Sequence, residues 1–267
     1  MKTKIFLSTL CLLSVLCFSC QNTGKAPNES QASADSTKTD EAYKDTALTS
    51  QQSALNYNSV DARTFGLLGN VAQVVTTTYE ATKSGNRFIR GNKVKNPLDT
   101  ITFNKLGFVT LDPFGNEYHY DDEGHFLKGL ADYTRMKRND DGRIATYDHQ
   151  QDDEDANCHH HTFIYDAQGR IAKLETGFYE STYNYAFTYD GDNLWPATMS
   201  IEGLDQGDVY QETTRYRYPQ FDEQGNWTER ELNVECMEAE EGPDDGKLIN
   251  KKQYGLQKIE TRTISYY

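Results

Sequence analysis

Basic side chains, prolines and cysteines are all scarce in this 267-residue chain. Lys and Arg number 27 against 41 Asp and Glu, which gives a formal net charge of −14 without any run of basic residues. Binding of a polyanion needs clustered Lys and Arg that release counterions from phosphates, so we expect no nucleic-acid partner. Hydrophobic residues make up only 36% of the chain, a share that excludes a multi-span membrane protein.

Motifs of the common catalytic centres are missing as well. The chain contains no Gly-x-Ser-x-Gly, no phosphate-cradling glycine-rich loop and no His-Glu-x-x-His. Glycosidases use a pair of carboxylates, but among 41 acidic residues such pairs are expected by chance, so they do not indicate a glycosidase. The sequence therefore predicts a protein that is not an enzyme, with no catalytic residue, no cofactor and no metal.

Aromatic residues, by contrast, are abundant: the chain has 18 Tyr, 12 Phe and 2 Trp. Tyr183, Tyr185, Phe187 and Tyr189 follow each other at a spacing of two, which places them on one face of a β-strand. Tyrosine also favours strands over helices. We therefore expect an all-β protein whose aromatic rings build the inner face of its sheet, with a platform for stacking ligands as the alternative.

The N-terminus resembles that of a bacterial lipoprotein. A short basic segment precedes an apolar run at residues 5–18, which is too short for a stable transmembrane helix and is typical of a signal peptide. The run ends at Cys20 in a sequence similar to the lipobox, although Phe18 is bulkier than usual. The resemblance implies that residues 1–19 are removed and that acylated Cys20 attaches the protein to a membrane, the outer membrane because Gln21 is not Asp. An ordinary signal peptide with an incidental cysteine is the alternative.

Residues 20–58 are predicted to form a flexible tether after the lipidated N-terminus. Small and polar residues dominate them, and they cannot bury enough apolar surface to offset the chain entropy lost on folding. A weak helix at residues 42–55 is compatible with their composition. A flexible chain of about 38 residues reaches about 30–35 Å, which lifts a folded domain clear of the lipid headgroups. We expect that domain at residues 59–267.

A short turn pattern recurs along residues 59–267: an aromatic residue, Asp or Asn, two variable residues, Gly, and an outgoing strand. The Asp side chain caps the turn by accepting hydrogen bonds from nearby amides, and Gly adopts the left-handed conformation that closes it. Related copies occur at residues 103–109, 138–144 and, with Asn193 in place of Gly, 189–195. The clearest copies have their structural turn residues at Asp121 and Gly124, Asp166 and Gly169, and Asp222 and Gly225.

Residues 107–126 contain two turn motifs in succession, Asp-Pro-Phe-Gly-Asn and Tyr-His-Tyr-Asp-Asp-Glu-Gly. This segment resembles one full YD repeat of the rearrangement-hotspot (RHS) superfamily, and weaker copies extend over residues 66–267. The resemblance implies a meander of antiparallel β-hairpin repeats that forms a curved sheet or partial shell, and it leaves open whether the sheet closes. Large family members can enclose a toxin in their shell, whereas this chain has too few repeats to do so.

Two regions depart from the repeat. An insertion separates Gly142 from Gly169, and residues 235–252 carry no recognisable copy. The acidic residues at 235–246 are predicted to form a solvated loop. Because the Asp-x-Asp-x-Asp-Gly spacing is missing there, the segment does not predict a calcium site.

Residues 158–161, Cys-His-His-His, concentrate side chains that can bind metal ions. In a strand, His159 and His161 share one face while Cys158 and His160 share the other, so neither face offers the three or four ligands of a firm site. We therefore expect a polar hairpin flank. Cys158 and Cys236 can form a disulfide in an oxidising envelope, but their spacing does not decide whether they do.

Together these features predict a non-enzymatic, lipid-anchored envelope protein that acts as a binding or scaffolding module. Its partner would be the membrane that holds its lipid and an envelope protein, polysaccharide or neighbouring complex. A carbohydrate-binding or carbohydrate-active surface protein is the first alternative, because Tyr and Trp stack on sugar faces and acidic residues accept hydrogen bonds from sugar hydroxyls. An accessory of a toxin system is the second, and it depends on family analogy alone.

Overall fold

The computed structural model describes residues 60–94, 100–113, 115–129, 135–150, 158–242 and 247–267. The predicted signal peptide, the predicted tether and Cys20 lie outside these residues. The described chain is nearly all antiparallel β, in a large curved sheet that is open. The predicted fold class is therefore confirmed for this part of the chain.

One short helix precedes fifteen strands. The elements are α1 (Val60–Thr64), β1 (Val71–Ser84), β2 (Arg87–Lys93), β3 (Thr100–Phe103), β4 (Val109–Leu111), β5 (Tyr118–Tyr120), β6 (Phe126–Gly129), β7 (Arg135–Arg138), β8 (Ile144–Gln150), β9 (Cys158–Tyr165), β10 (Ile171–Phe178), β11 (Ser181–Thr188), β12 (Thr198–Asp205), β13 (Asp208–Phe221), β14 (Trp227–Glu241) and β15 (Leu248–Tyr266).

Thirteen strands form the main sheet, in the order β4-β3-β1-β15-β14-β13-β12-β11-β10-β9-β8-β7, with β2 also paired to β1. Strands β5 and β6 form a separate hairpin. From β7 to β15 every strand lies beside its predecessor, as a meander requires. The meander does not hold at β1, which pairs with the last strand, β15, so that Val74 lies opposite Ile264. The terminal strand therefore docks against the first one.

The turn residues share one hydrogen-bond geometry. The Oδ1 atom of Asp166 accepts hydrogen bonds from the amides of Gln168 and Arg170 at 3.0 and 2.9 Å, and its carbonyl oxygen accepts one from Gly169 at 2.9 Å. Gly169 has a φ angle of +77°, a conformation in which a Cβ atom is strained. The same side-chain and carbonyl bonds occur at Asp121 with Gly124, Asp222 with Gly225, Asn104 with Gly107 and Asn139 with Gly142.

The copy that begins at Tyr189 differs from the prediction. Asn193 does not adopt the positive φ that was expected of it, and Gly191 has a φ of +57° instead. The amide of Asn193 still donates to the carbonyl oxygen of Asp190, at 3.3 Å. Because Gly191, the residue after Asp190, adopts the left-handed conformation in this turn, Asn193 does not need to adopt it.

Successive turns are linked through their side chains. The residue after a turn glycine packs on the aromatic residue that begins the next turn, by ring stacking or by a cation–π contact. The three pairs are Phe108 on Tyr120 at 5.0 Å, Arg143 on Tyr165 at 5.6 Å and Arg170 on Tyr189 at 4.2 Å. Consecutive repeats are therefore held together by side-chain contacts along the sheet edge as well as by the pairing of their strands.

The segment at residues 61–70 packs against several distant strands. The buried carboxylate of Asp61 accepts a hydrogen bond from the amide of Val109 at 2.9 Å and pairs with Arg138 at 2.7 Å. The amide of Leu68 donates to the side-chain oxygen of Asn226 at 2.7 Å. The segment thus ties β4, β7 and the β13–β14 turn together, in contact with the core.

The predicted acidic loop is wrong for residues 235–241, which belong to β14. Cys236 and Ala239 are buried there, while Glu235 and Glu240 are exposed. Residues 243–246 lie outside the described part of the chain. The reason is the length of β13 and β15, which pair with β14 on both sides and keep an acid-rich segment in the sheet.

Candidate functional site

Charged side chains interrupt the apolar face of the sheet. We call this face, which carries Val74, Leu174, Tyr185, Met199 and Ile201, the core face. Strand alternation continues it across β13–β15, where Glu212 lies opposite Ile201 and Arg230 lies opposite Glu260. The charged residues that alternation places on this face include Glu212, Arg230, Lys258, Glu260 and Arg262, and the first four are buried. We call these five residues the charged cluster.

Glu212 lies at the centre of one half of this cluster. Its Oε2 atom accepts a hydrogen bond from the Tyr210 hydroxyl at 2.5 Å, and its Oε1 atom accepts one from Thr214 at 2.7 Å. The Cys236 thiol lies 4.0 Å from the same carboxylate. Burial raises the pKa of Glu212, against the opposing effects of these hydrogen bonds and the Lys258 charge.

The Cys236 thiol is not activated for nucleophilic chemistry. Burial and the neighbouring Glu212 carboxylate raise its pKa, although hydrogen bonding with Tyr210 acts in the other direction. Burial together with the Glu212 charge also raises the pKa of Tyr210. At neutral pH the thiol and the phenol therefore stay protonated, and the group is suited to hydrogen bonding.

Arg230 and Glu260 form a buried ion pair in the other half. The Nε and Nη2 atoms of Arg230 lie 2.7 and 2.6 Å from Oε2 of Glu260. Desolvation opposes the charge of Arg230, but the Glu260 carboxylate raises its pKa beyond the ordinary value. Each charge of this pair is thereby compensated within the protein.

The charge of Arg262 is not compensated by the Arg230–Glu260 pair. Its guanidinium lies 3.7 Å above the Trp227 ring, and Arg230 stacks on Trp227 as well, at 4.4 Å. The Nε and Nη1 atoms are buried, and among the described residues neither has a hydrogen-bond partner. Desolvation and the Arg230 charge lower the pKa of Arg262 to about 9, since the attraction of Glu260 is too weak to prevent it.

An aromatic cluster extends from Trp227 towards the surface. The Trp227 ring lies 6.0 Å from Tyr218, and Trp195 lies 5.8 Å from Tyr218 and 4.9 Å from Phe221. Trp227 is buried, Trp195 is half-buried, and Phe221 is 43% exposed. These four residues form the aromatic cluster, whose rings connect the surface to Arg262.

The Cys-His-His-His segment lies in β9 and divides between two faces as alternation predicts. His159 and His161 are buried, whereas His160 is exposed and pairs with Asp148 at 3.0 Å. His159 stacks on Phe178 at 4.0 Å. Cys158 and Cys236 are not joined by a disulfide.

Three side chains at the β5–β6 turn, Asp121, Glu123 and His125, have potential metal-ligand atoms within 4.8 Å of one another. The Asp121 carboxylate already accepts bonds from two amides and from the His125 ring, at 2.8 Å for the ring. Although desolvation acts against it, these bonds lower the pKa of Asp121. The group is accounted for by its role in the turn.

The predicted turn residues and the charged cluster occupy different places. The turns at Asp121, Asp166 and Asp222 lie between strands, and Cys20 lies outside the described residues. The charged cluster was not predicted from the sequence. A signal was present in Lys258, Glu260 and Arg262, spaced by two, but such spacing is also that of a solvated strand face.

No protein-family model matches the chain, and no curated protein matches it. Among solved structures, a porin-like protein from Bacteroides uniformis is similar over 74% of this chain and 98% of that chain, at a TM-score of 0.33 and 12% sequence identity. A likeness at this TM-score supports no conclusion about fold or function. Within the part of the chain that the structure describes, no helix combines the length and apolar character needed to cross a bilayer.

Proposed function

We propose that the protein is a non-catalytic, lipid-anchored binding or scaffolding module of the cell envelope, and that the charged cluster is part of its ligand surface. The observation that carries the proposal is the burial of Glu212, Arg230, Lys258 and Glu260 on the core face. Buried charges contribute little to stability and often cost it, because desolvation offsets their attraction. Their presence on a face otherwise suited to apolar packing therefore points to recognition.

The absence of an enzymatic role is inferred from the chemistry of the same residues. A raised pKa keeps the Cys236 thiol protonated, and Tyr210 is likewise held as a neutral phenol. A catalytic nucleophile needs the opposite shift or an adjacent general base. The cluster is therefore better suited to holding a ligand than to transforming one.

Anchoring and family membership belong to the same proposal. The lipobox-like sequence that ends at Cys20 supports attachment of the protein to the outer membrane through an acylated cysteine. Kinship with YD repeats is supported by the Asx-x-x-Gly turns and by the side chains that link one turn to the next. The repeats would then hold the binding surface at the end of the tether.

Carbohydrate binding is the second candidate function, and the aromatic cluster favours it. Trp195 and Phe221 lie 4.9 Å apart, and both reach the surface. Aromatic faces stack on the C–H groups of sugar rings. Phe221 is 43% exposed beside the half-buried Trp195, so we expect a sugar to bind at this pair.

Mass spectrometry of the protein extracted from its native membranes tests the proposed lipid anchor. We expect a mature N-terminus at Cys20 that carries acyl chains, and recovery of the protein in the membrane fraction. Cys20→Ser should abolish the acylation, whether or not the uncleaved signal peptide keeps the precursor in the membrane fraction. An unmodified Cys20 in the wild-type protein would contradict the anchor.

A further inference from the structure

The outer edge of β15 is paired for only part of its length. On one side β15 pairs with β14 as far as Leu248. On the other side its pairing with β1 ends at Gln257, which lies opposite Ala81. Strand β1 continues to Ser84, and over these last residues its partner is β2. Among the described residues, no strand pairs with the outer side of residues 252–256, and we call this stretch the open edge.

The open edge is regular and accessible. From Lys252 to Leu256 its register with β14 has no shift, and a bulge follows only beyond Lys252. All of its residues are exposed except Tyr254, which is half-buried. Alternate residues of an antiparallel strand direct their N–H and C=O groups to the outer side. A row of such groups that no strand covers is a template for an added strand.

Lysines surround the open edge. Residues 247–258 contain four Lys and no Asp or Glu, in a chain of net charge −14. The two acids opposite the open edge in β14 already have cationic partners, since Glu235 lies 2.6 Å from Arg215 and Glu238 lies 3.8 Å from Lys252. These acids also lie one strand farther from any strand that pairs with the open edge. The nearest charges are therefore positive, and they favour an acidic partner.

The charges disfavour a second copy of this chain as the occupant. Lys251 and Lys252 are both exposed beside the open edge. Two copies would bring lysines on both edges and an equal net negative charge, so the interaction between copies is repulsive locally and overall. The bulge beyond Lys252 limits self-pairing as well, because bulges are one of the features that protect sheet edges. Repulsion of this kind selects for a segment of opposite charge.

Leu256 adds an apolar contact to the open edge. Its side chain is 37% exposed, although Val234 opposite it in β14 is buried. Both residues belong to the core face, where alternation places every second side chain of an added strand. An apolar residue in such a strand would pack on Leu256, while acidic residues at the alternate positions would lie on the other face.

We propose that the open edge binds an extended, acidic peptide segment of an envelope protein by strand addition. Backbone hydrogen bonds to residues 252–256 supply the affinity, and the neighbouring lysines select for acidic side chains. This inference depends on the proposed binding role, and it names a partner class and a surface outside the charged cluster.

Titration of the full-length protein in detergent tests the inference. The probe is a capped, fluorescein-labelled peptide of alternating Glu and Val, whose binding is followed by fluorescence anisotropy. One matched peptide has Lys in place of Glu, and another has N-methylated Val and the same charge. We expect saturable binding of the acidic peptide and at least roughly tenfold weaker binding of both matched peptides, because one loses the charge complementarity and the other loses backbone hydrogen bonds. Amide hydrogen exchange at residues 252–256 should slow when the acidic peptide binds.

A pair of surface variants separates the site from the overall charge. Lys251→Gln combined with Lys252→Gln should weaken binding of the acidic peptide by roughly fivefold or more and leave the fold intact, since both side chains are exposed. Lys137→Gln combined with Lys173→Gln is the matched control. It removes the same charge from exposed positions in β7 and β10, and its affinity should equal that of the wild type.

Equal binding of the N-methylated peptide would overturn the inference, because strand addition needs the backbone groups. Unchanged exchange at residues 252–256, or no binding of any peptide, would overturn it as well. So would self-association of the free protein that slows exchange at the same residues, since the occupant would then be a second copy. None of these outcomes alters the acylation of Cys20 or binding at the charged cluster, so failure of this inference is distinguishable from failure of the proposed function.

Discussion

The hydroxyl group of Tyr165 donates a hydrogen bond to the carbonyl oxygen of Ile144 at 2.7 Å, across 21 positions of the chain. Tyr189 makes the equivalent bond to Ile171 at 2.8 Å. Each isoleucine is the second residue after a turn glycine, and each tyrosine begins the next turn. The bond therefore joins consecutive repeats and gives a reason why the leading aromatic residue is Tyr rather than Phe at these two turns.

Removal of either hydroxyl should destabilise the protein. In Tyr165→Phe and Tyr189→Phe the carbonyl oxygen of the preceding repeat loses its partner, and we expect a loss of about 1 kcal/mol for each variant. Chemical denaturation measures the free energy of unfolding. Tyr179→Phe is the control, because Tyr179 is 62% exposed, and its stability should match the wild type. Equal stabilities of all four proteins would contradict the linkage between repeats.

The side chain of Asp166 should stabilise its turn. In Asp166→Ala two amides lose the Oδ1 acceptor, and Arg170 loses its contact with Oδ2 at 2.7 Å. We expect a loss of about 1–2 kcal/mol, as for other caps of this kind, measured by thermal unfolding. Asp190→Ala changes an exposed Asp in the turn that lacks this geometry, and it should cost less. A reversed order of the two effects would refute the capping role.

Gly66 lies where two segments meet closely. A Cβ atom at this position would lie 2.8 Å from the carbonyl oxygen of Leu194, and the φ angle is +68°. We expect Gly66→Ala to cost about 2 kcal/mol or more in unfolding free energy. Gly191→Ala has a similar φ of +57° and no atom within 4 Å, so about 1 kcal/mol is expected. Similar losses in both variants would mean that the segment at residues 61–70 is not packed against Leu194.

The raised pKa of Glu212 should make stability depend on pH in a defined direction. Because the folded protein holds this proton more tightly than the unfolded chain, the contribution is complete below the ordinary pKa of 4.5 and is lost as the pH rises through the folded pKa. Glu212→Gln should remove that part of the dependence. The measurement is unfolding free energy against pH, beside Glu235→Gln, whose side chain is 60% exposed. A steeper loss in Glu212→Gln than in the wild type would contradict the assignment.

The turns were accessible to sequence reasoning because their physics is local. Asp166, Gly169 and the amides that bind the Asp side chain all lie within five positions. Strand alternation is local as well, and it placed His159 and His161 together on a buried face. Neither inference required knowledge of a partner strand.

Long-range pairing could not be derived in the same way. Thr76 lies opposite Arg262 because the first and last strands meet, and nothing within either strand specifies the other. The acidic residues of β14 were assigned to a loop because composition alone favours solvent for them. Two long neighbouring strands overrode that preference.

The buried charges of β15 could not be predicted from strand alternation. Lys258, Glu260 and Arg262 alternate with Ile259, which suggests that the isoleucine faces the core and the charges face water. Ile259 is in fact 3% exposed, and Glu260 on the other face is 2% exposed. Both faces of β15 are covered at this point, so the usual rule about charged residues gives the wrong answer. Departures from folding rules of this kind are expected at functional sites.

Affinity capture from native envelopes tests the central claim most directly, with the anchored wild-type protein beside Arg262→Met and Arg215→Gln. We predict that a ligand or partner co-purifies with the wild type and with Arg215→Gln, and that its recovery falls at least roughly tenfold with Arg262→Met. Equal recovery from all three proteins would place the binding surface away from the charged cluster and contradict the account.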